Sequence, residues 1–211
     1  MYMKIKRCID FVLSFVGLIT LSPLYIPLII AIKIDSKGPV FFQQKRIGIN
    51  KSYFSILKFR TMKIDTPKDT PTHLLDDPEQ YITRVGKFLR KTSLDELPQI
   101  FNIFIGHMSI IGPRPALWNQ YDLITERDKY GANDIPPGLT GWAQINGRDE
   151  LPIKVKAKLD GEYVHKIGLW MDIKCFLGTI LSVVKSDGVV EGGPSNTEKE
   201  NESERKRKKS S

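Results

Sequence analysis

Residues 11–32 read FVLSFVGLITLSPLYIPLIIAI, with no charged side chain among them, and the run is flanked by Lys4, Lys6 and Arg7 before it and by Lys33 and Lys37 after it. As a straight helix this run measures about 33 Å, enough to cross a hydrocarbon core of roughly 30 Å. Its length, and the lack of a small-residue cleavage site after it, argue against a signal peptide. Ser22-Pro23 lies near its middle and Pro27 follows a turn later. A mid-helix proline removes a backbone hydrogen bond and favours a bend. A break there leaves arms of about 18 Å and 15 Å, each reaching about halfway through a bilayer. Lys and Arg stand at both ends and prefer the cytoplasmic side. Residues 1–35 are therefore expected to form a re-entrant helix–break–helix, with the Ser22 hydroxyl helping to satisfy carbonyls that Pro23 frees. A single spanning helix with a proline kink is the alternative.

Outward from this segment, 211 residues favour one principal domain, here residues 36–190, followed by a charged tail at 191–211 that is expected to be disordered. The net charge is +8, of which the tail supplies only +1, so the folded body is itself basic. That favours phosphate-bearing partners: nucleotide, anionic lipid or nucleic acid. Cys8 and Cys175 lie far apart, and His73, His107 and His165 are scattered, which indicates neither a disulfide framework nor a zinc site.

Residues 40–46 and 53–62, separated by a polar turn, read as a β-hairpin whose second strand puts Phe54, Ile56, Lys58 and Arg60 on one face. Residues 64–80 read as a surface loop. Thr83 can cap a short helix with Arg84, Lys87 and Lys91 in one stripe and Val85, Phe88 and Leu89 facing inward.

Residues 92–115, TSLDELPQIFNIFIGHMSIIGPRP, then place the adjacent carboxylates Asp95 and Glu96 after that basic approach and end on Arg114 between two prolines. Ser93 and Glu96 fit a capping box, so one reading is only a helix start. The other is chemistry: one carboxylate attacks phosphorus while its neighbour holds Mg²⁺ against a diphosphate, with Arg gripping phosphate oxygens. The Gly-rich stretch 134–148, DIPPGLTGWAQINGR, permits close backbone approach at Gly138 and offers Trp142 for stacking or packing. A charged helix is expected over 151–167. Residues 169–185 read as an amphipathic or largely buried helix, with core packing the preferred reading over a membrane interface anchored by Trp170 and Lys174.

The motifs KRCID, the Ser22-Pro23 break, GPVFFQQKRIG, FSILKFRTM, TRVGKFLRKTSLDELPQIFNIFIGHMSIIGPRP and PGLTGWAQINGR occur in unbroken order. Over residues 6–188 the chain resembles the monotopic phosphoglycosyl transferases, in their minimal form without extra amino-terminal spanning helices. The resemblance implies transfer of a sugar-1-phosphate from a UDP-sugar to a polyprenol phosphate such as undecaprenyl phosphate, with release of UMP. This would be a first membrane step in capsule, exopolysaccharide or glycoprotein glycan assembly. It implies Asp95 as nucleophile and Glu96 as ligand of Mg²⁺. Lys58, Arg60, Arg90 and Arg114 match basic positions of the family's motifs, for substrate phosphates or for holding the carboxylates, and Asp172 matches an acidic one; with Gly138 and Trp142 of the Gly-rich stretch they are the expected substrate-binding positions. Members often carry a basic residue where Pro136 stands, so a phosphate contact from that place is not carried over.

The expectation is thus an α/β (α+β) protein with a re-entrant membrane helix, a β-hairpin and packed, partly amphipathic helices, on the cytoplasmic face of the inner membrane and in contact with its lipid. A membrane scaffold would not need the two carboxylates, and the membrane segment argues against a nucleic-acid partner.

Overall fold

The computed structural model describes residues 1–66, 78–147 and 151–185. The tail at 191–211, most of the expected loop at 64–80 and Arg148 of the Gly-rich stretch lie outside the described residues or largely so.

Helix α1 (Tyr2–Asp35) runs 34 residues without an interruption, with Pro23 and Pro27 inside it. The expected break at Ser22-Pro23 is therefore not a break in the helix. Pro23 has no N–H to offer the carbonyl of Ile19, and the Ser22 hydroxyl donates to that carbonyl instead at 2.7 Å. The expected substitution takes place within a continuous helix.

Both ends of α1 dock on the same domain. Near its start Lys6 pairs with Asp172 at 2.6 Å, and Arg7 donates to the carbonyls of Ile103 and Phe104, each at 2.7 Å. Asp10 accepts from the Ser109 hydroxyl and the Ile110 N–H at 2.7 and 3.0 Å. Near its end the Tyr25 hydroxyl donates to the carbonyl of Leu97 at 3.0 Å, and the Asp35 carboxylate accepts from the Val85 N–H at 2.9 Å. Lys6, Asp10 and Ser14, four residues apart, are buried, whereas Phe11, Val12, Leu13, Phe15, Val16, Ile19, Ile26 and Ile30 are exposed. The first half of the helix turns polar groups inward and apolar ones outward, the reverse of a soluble amphipathic helix, whereas the second half buries Leu28 and Ile32.

The antiparallel hairpin forms as expected. Strand β1 (Phe41–Ile47) pairs with β2 (Tyr53–Phe59), Phe42 opposite Lys58. Helix α2 (Arg84–Lys91) starts at Thr83, whose hydroxyl accepts from the Gly86 N–H at 2.9 Å. Leu89 of α2 joins Leu28, Ile32 and Phe59 in one apolar cluster, but Phe88, expected to face inward, is exposed. After a single 3-10 turn at Leu94–Glu96 come α3 (Gln99–Phe104) and β3 (Ser109–Ile111). Helix α4 spans Tyr121–Asp128, and β4 (Gly138–Thr140) pairs in parallel with β3, a pairing with no counterpart among the expectations. Short α5 (Trp142–Ile145), α6 (Ile153–His165) and α7 (Leu169–Lys185) complete the described residues.

Helix α7 corrects the core-packing reading. It buries Met171 and Cys175 and exposes Leu169, Trp170, Ile173, Phe176, Leu177, Ile180 and Leu181, with Trp170 84% exposed. Charged α6 has only part of one face in the core, whereas α7 offers an apolar stripe that no described element covers.

Candidate active site

The site is organised by the reversal between α2 and α3. Ser93 adopts a left-handed conformation, φ 55°, which few non-glycine residues do. It turns the chain from the end of α2 into the 3-10 turn that holds Asp95 and Glu96. Its side chain makes no cap bond. Of the two readings of Ser-x-x-Glu, the reciprocal capping box is therefore not formed. Leu94 and Leu97, on either side of the two acids, pack against the apolar cluster built by the second half of α1.

Glu96 is clamped by two cations. Lys58 donates to Oε1 at 2.7 Å, and the Arg114 guanidinium reaches Oε1 at 2.5 Å and Oε2 at 3.4 Å. Burial works against the charged form, but the charges of Arg114 and Lys58 outweigh it and hold Glu96 well below the usual carboxylate range. Asp95 is only 8% exposed and its carboxylate stands 3.8 Å from the Lys58 ammonium, without a closer ion pair among the described residues. Burial raises its pKa; Lys58, then Arg90 and Arg114, pull in the other direction, and neighbouring Glu96 adds to the rise. Two adjacent acids thus sit in unlike surroundings: one held as an anion by direct contacts, one desolvated by burial.

The cations do not all gather here. Arg60 lies beyond the end of β2 and is buried; its guanidinium donates to the carbonyls of Ser36 and Lys37 at 2.7 and 2.5 Å and to the Ser36 hydroxyl at 2.9 Å, closing the end of α1. Arg90 is steered by Thr61, whose hydroxyl accepts from Nε at 3.0 Å, and it acts on Asp95 through charge. Lys87 pairs at the surface with Glu79. The Gly138 N–H donates to the Pro113 carbonyl at 2.9 Å. A Cβ on Gly138 would lie far inside van der Waals contact with the Gly112 backbone nitrogen, so glycine lets β4 close against the loop that presents Arg114. Trp142 donates to Glu162 at 3.2 Å and carries the Lys174 ammonium 4.6 Å above its ring. Asp172 receives Tyr2, Lys6 and Tyr163, each at 2.6 Å, and so ties α1 to α6 and α7 away from the two acids.

One positioning residue escaped the sequence reading. Asn102 on α3 accepts from the Leu57 N–H and donates to the Ser55 carbonyl, both at 2.9 Å, so its amide completes the free edge of β2 as a strand would. That clamp fixes the register of Lys58 against the turn holding Glu96. Nothing in the sequence marked it, because an asparagine in a short amphipathic helix carries no signal of a strand 45 residues earlier.

The family model described as Bacterial sugar transferase matches residues 1–186. The chain belongs to the bacterial sugar transferase family. Among its relatives in the family, the uncharacterized sugar transferase EpsL of Bacillus subtilis (strain 168) is 36% identical over 187 residues, covering 89% of this chain and 91% of EpsL. The UDP-glucose:undecaprenyl-phosphate glucose-1-phosphate transferase of Escherichia coli (strain K12) is 40% identical over 185 residues, which is 83% of this chain and 39% of that protein. The undecaprenyl-phosphate glucose phosphotransferase of Komagataeibacter xylinus is 40% identical over 187 residues, 83% of this chain and 35% of that protein. This sugar transferase chain thus spans well under half the length of the two relatives whose names state a reaction.

Among the described residues no three His, Cys, Asp or Glu side chains come together as a metal cage. Magnesium does not require one, since one or two carboxylates plus substrate phosphates suffice. Asp95 and Glu96 fit that donor set: Glu96 is held ionised, and its Oε2 has the longer contact to Arg114, at 3.4 Å.

Proposed function

We propose that this bacterial sugar transferase moves a sugar-1-phosphate from a UDP-sugar to a polyprenol phosphate, with undecaprenyl phosphate the acceptor named for its relatives. The observation that carries the reading is the clamped Glu96 beside desolvated Asp95, on a turn whose flanking leucines rest on the apolar second half of α1. A charged soluble donor and a lipid acceptor both need access to one point, and that junction offers it.

In the first displacement an Asp95 carboxylate oxygen bonds to the sugar-bearing phosphorus, and the bond from that phosphorus to the bridging oxygen breaks. UMP leaves with that oxygen and the electron pair. The sugar phosphate stays on Asp95 as an acyl phosphate. In the second, an oxygen of the polyprenol phosphate attacks the same phosphorus, and Asp95 departs as a carboxylate. Lys58 and Arg114 keep Glu96 anionic and oriented, and Lys58 and Arg90 place positive charge beside the reacting carboxylate. Mg²⁺, held by Glu96 with Asp95 adjacent, would supply neutralisation of diphosphate charge.

The same reading makes the protein monotopic. One domain binds both ends of α1, so both ends lie on one side of a bilayer and the helix does not cross it. Outward-facing apolar residues of α1 meet lipid, and the exposed apolar stripe of α7, begun by Trp170, lies in the interface. Basic flanks at both ends of α1 favour the cytoplasmic face of the inner membrane. The test is UMP release from a panel of UDP-sugars by the full chain in lipid nanodiscs containing undecaprenyl phosphate. At least one UDP-sugar should give UMP in amounts equal to lipid-linked sugar diphosphate. Folded protein that releases UMP from no member of the panel contradicts the reading.

A further inference from the structure

The loop that presents Arg114 is tied down at three consecutive carbonyls. Pro113 accepts from the Gly138 N–H at 2.9 Å, Arg114 from Nη1 of Arg127 at 2.9 Å, and Pro115 from Nη1 of Arg46 at 3.0 Å. Pro113 and Pro115 have no N–H, so the loop cannot be anchored through donors at those positions. The middle anchor is the unusual one. Arg127 of α4 is 3% exposed and Asp160 of α6 is 1% exposed. Oδ2 of Asp160 accepts from Nε of Arg127 at 2.8 Å and lies 2.6 Å from Nη2, while Oδ1 is buried without a hydrogen-bond partner.

A buried ion pair is a poor device for stability alone, because desolvation offsets its attraction and well-packed apolar residues commonly do as well. This pair also leaves one carboxylate oxygen unsatisfied. What an apolar pair could not do is donate to the Arg114 carbonyl. Through that bond a fixed chain runs from the α4–α6 core to the active site: Asp160 orients Arg127, Arg127 holds the Arg114 backbone, and Arg114 clamps Glu96.

We propose that Arg127, oriented by Asp160, is a positioning residue for the transfer reaction, setting the angle at which Arg114 meets Glu96. The proposal rests on the reading of Arg114 and Glu96 as working groups, and the experiment separates the two. The full chain in nanodiscs is prepared with Arg127→Met and Asp160→Leu together, which leaves no unpaired buried charge, and with Arg127→Lys, which keeps a charge facing Asp160 but removes the rigid fork whose separate N–H groups reach Asp160 and the Arg114 carbonyl at once. Each change is repeated on an Arg114→Ala background, and kcat, KM for the UDP-sugar and the thermal midpoint are measured.

The folded paired variant is expected to lose roughly tenfold to a hundredfold in kcat, as small misplacements from remote changes do, with KM for the UDP-sugar changed by less than about threefold. Arg127→Lys should lose kcat in the same direction. Neither change should matter on the Arg114→Ala background, because residues acting through one contact are not additive. An equal further loss on that background, or a parental kcat in folded Arg127→Lys, overturns the positioning role. If the paired variant does not fold, the Arg127→Lys cycle decides. A parental kcat in Arg114→Ala itself overturns the functional reading on which the proposal stands.

Discussion

Lys58 and Arg60 are two residues apart, and alternation along a strand puts both on one face. In the structure they do unrelated work, because β2 ends at Phe59 and Arg60 has already left the sheet. Lys58 binds Glu96, and Arg60 closes the end of α1. Lys58→Ala is therefore expected to cut turnover at least about tenfold while the protein keeps its thermal midpoint. Arg60→Ala should act on stability, at about 1.5–3 kcal/mol for lost hydrogen bonds to a charged group, with kcat per folded molecule little changed. Thermal unfolding and UMP release on the same preparations distinguish them. The sequence showed which residue types converge on Asp95 and Glu96. It could not show that Arg60 turns away, because the periodicity that pairs it with Lys58 holds only while the strand lasts.

At the scale of elements, the antiparallel hairpin and the main helices were legible, since each follows from a local pattern of alternation, capping and helical spacing. The parallel β3–β4 pair was not. Its strands are three residues each, 27 residues apart at their nearest ends, and too short to show a period. The same limit hid Asn102, whose side chain rather than its backbone extends the edge of β2. Asn102→Ala leaves that edge without its partners and is expected to destabilise the domain by about 1–3 kcal/mol. Lys58 would also lose its register against the turn that holds Glu96, so turnover per folded molecule should fall too. A stability loss without any loss of turnover would mean that the amide supports the fold but does not align the site. Helix α7 shows a different limit: its apolar stripe was plain in the sequence, but a stripe does not say whether protein or lipid covers it. Exposure of Trp170 and its neighbours directs that stripe outward.

For the whole molecule, the placement of α1 decides how the proposed nucleotide sugar and lipid phosphate would meet. Composition made the segment apolar and basic at both ends, and the contacts add that one domain grips both ends. With Cys8 replaced by serine and buried Cys175 by alanine, single cysteines at Lys4 and Lys37 are expected to label from the same side of sealed vesicles. Labelling from opposite sides would establish a spanning helix and remove the monotopic arrangement. The expected proline break proved to be a substitution of donors inside a continuous helix, Ser22 serving the carbonyl that Pro23 cannot. The sequence named the two residues involved but not the backbone they produce.

The central claim is that Asp95 carries the sugar phosphate between two displacements. It is tested most directly by exposing the full chain to a UDP-sugar labelled in its sugar-linked phosphate, with no lipid acceptor present, and locating the label by mass spectrometry after rapid quenching. The account predicts up to one sugar phosphate per molecule on the peptide containing Asp95, chased into lipid when polyprenol phosphate is added, and none in Asp95→Asn. A folded Asp95→Asn protein that still releases UMP and transfers sugar phosphate to the lipid would contradict it.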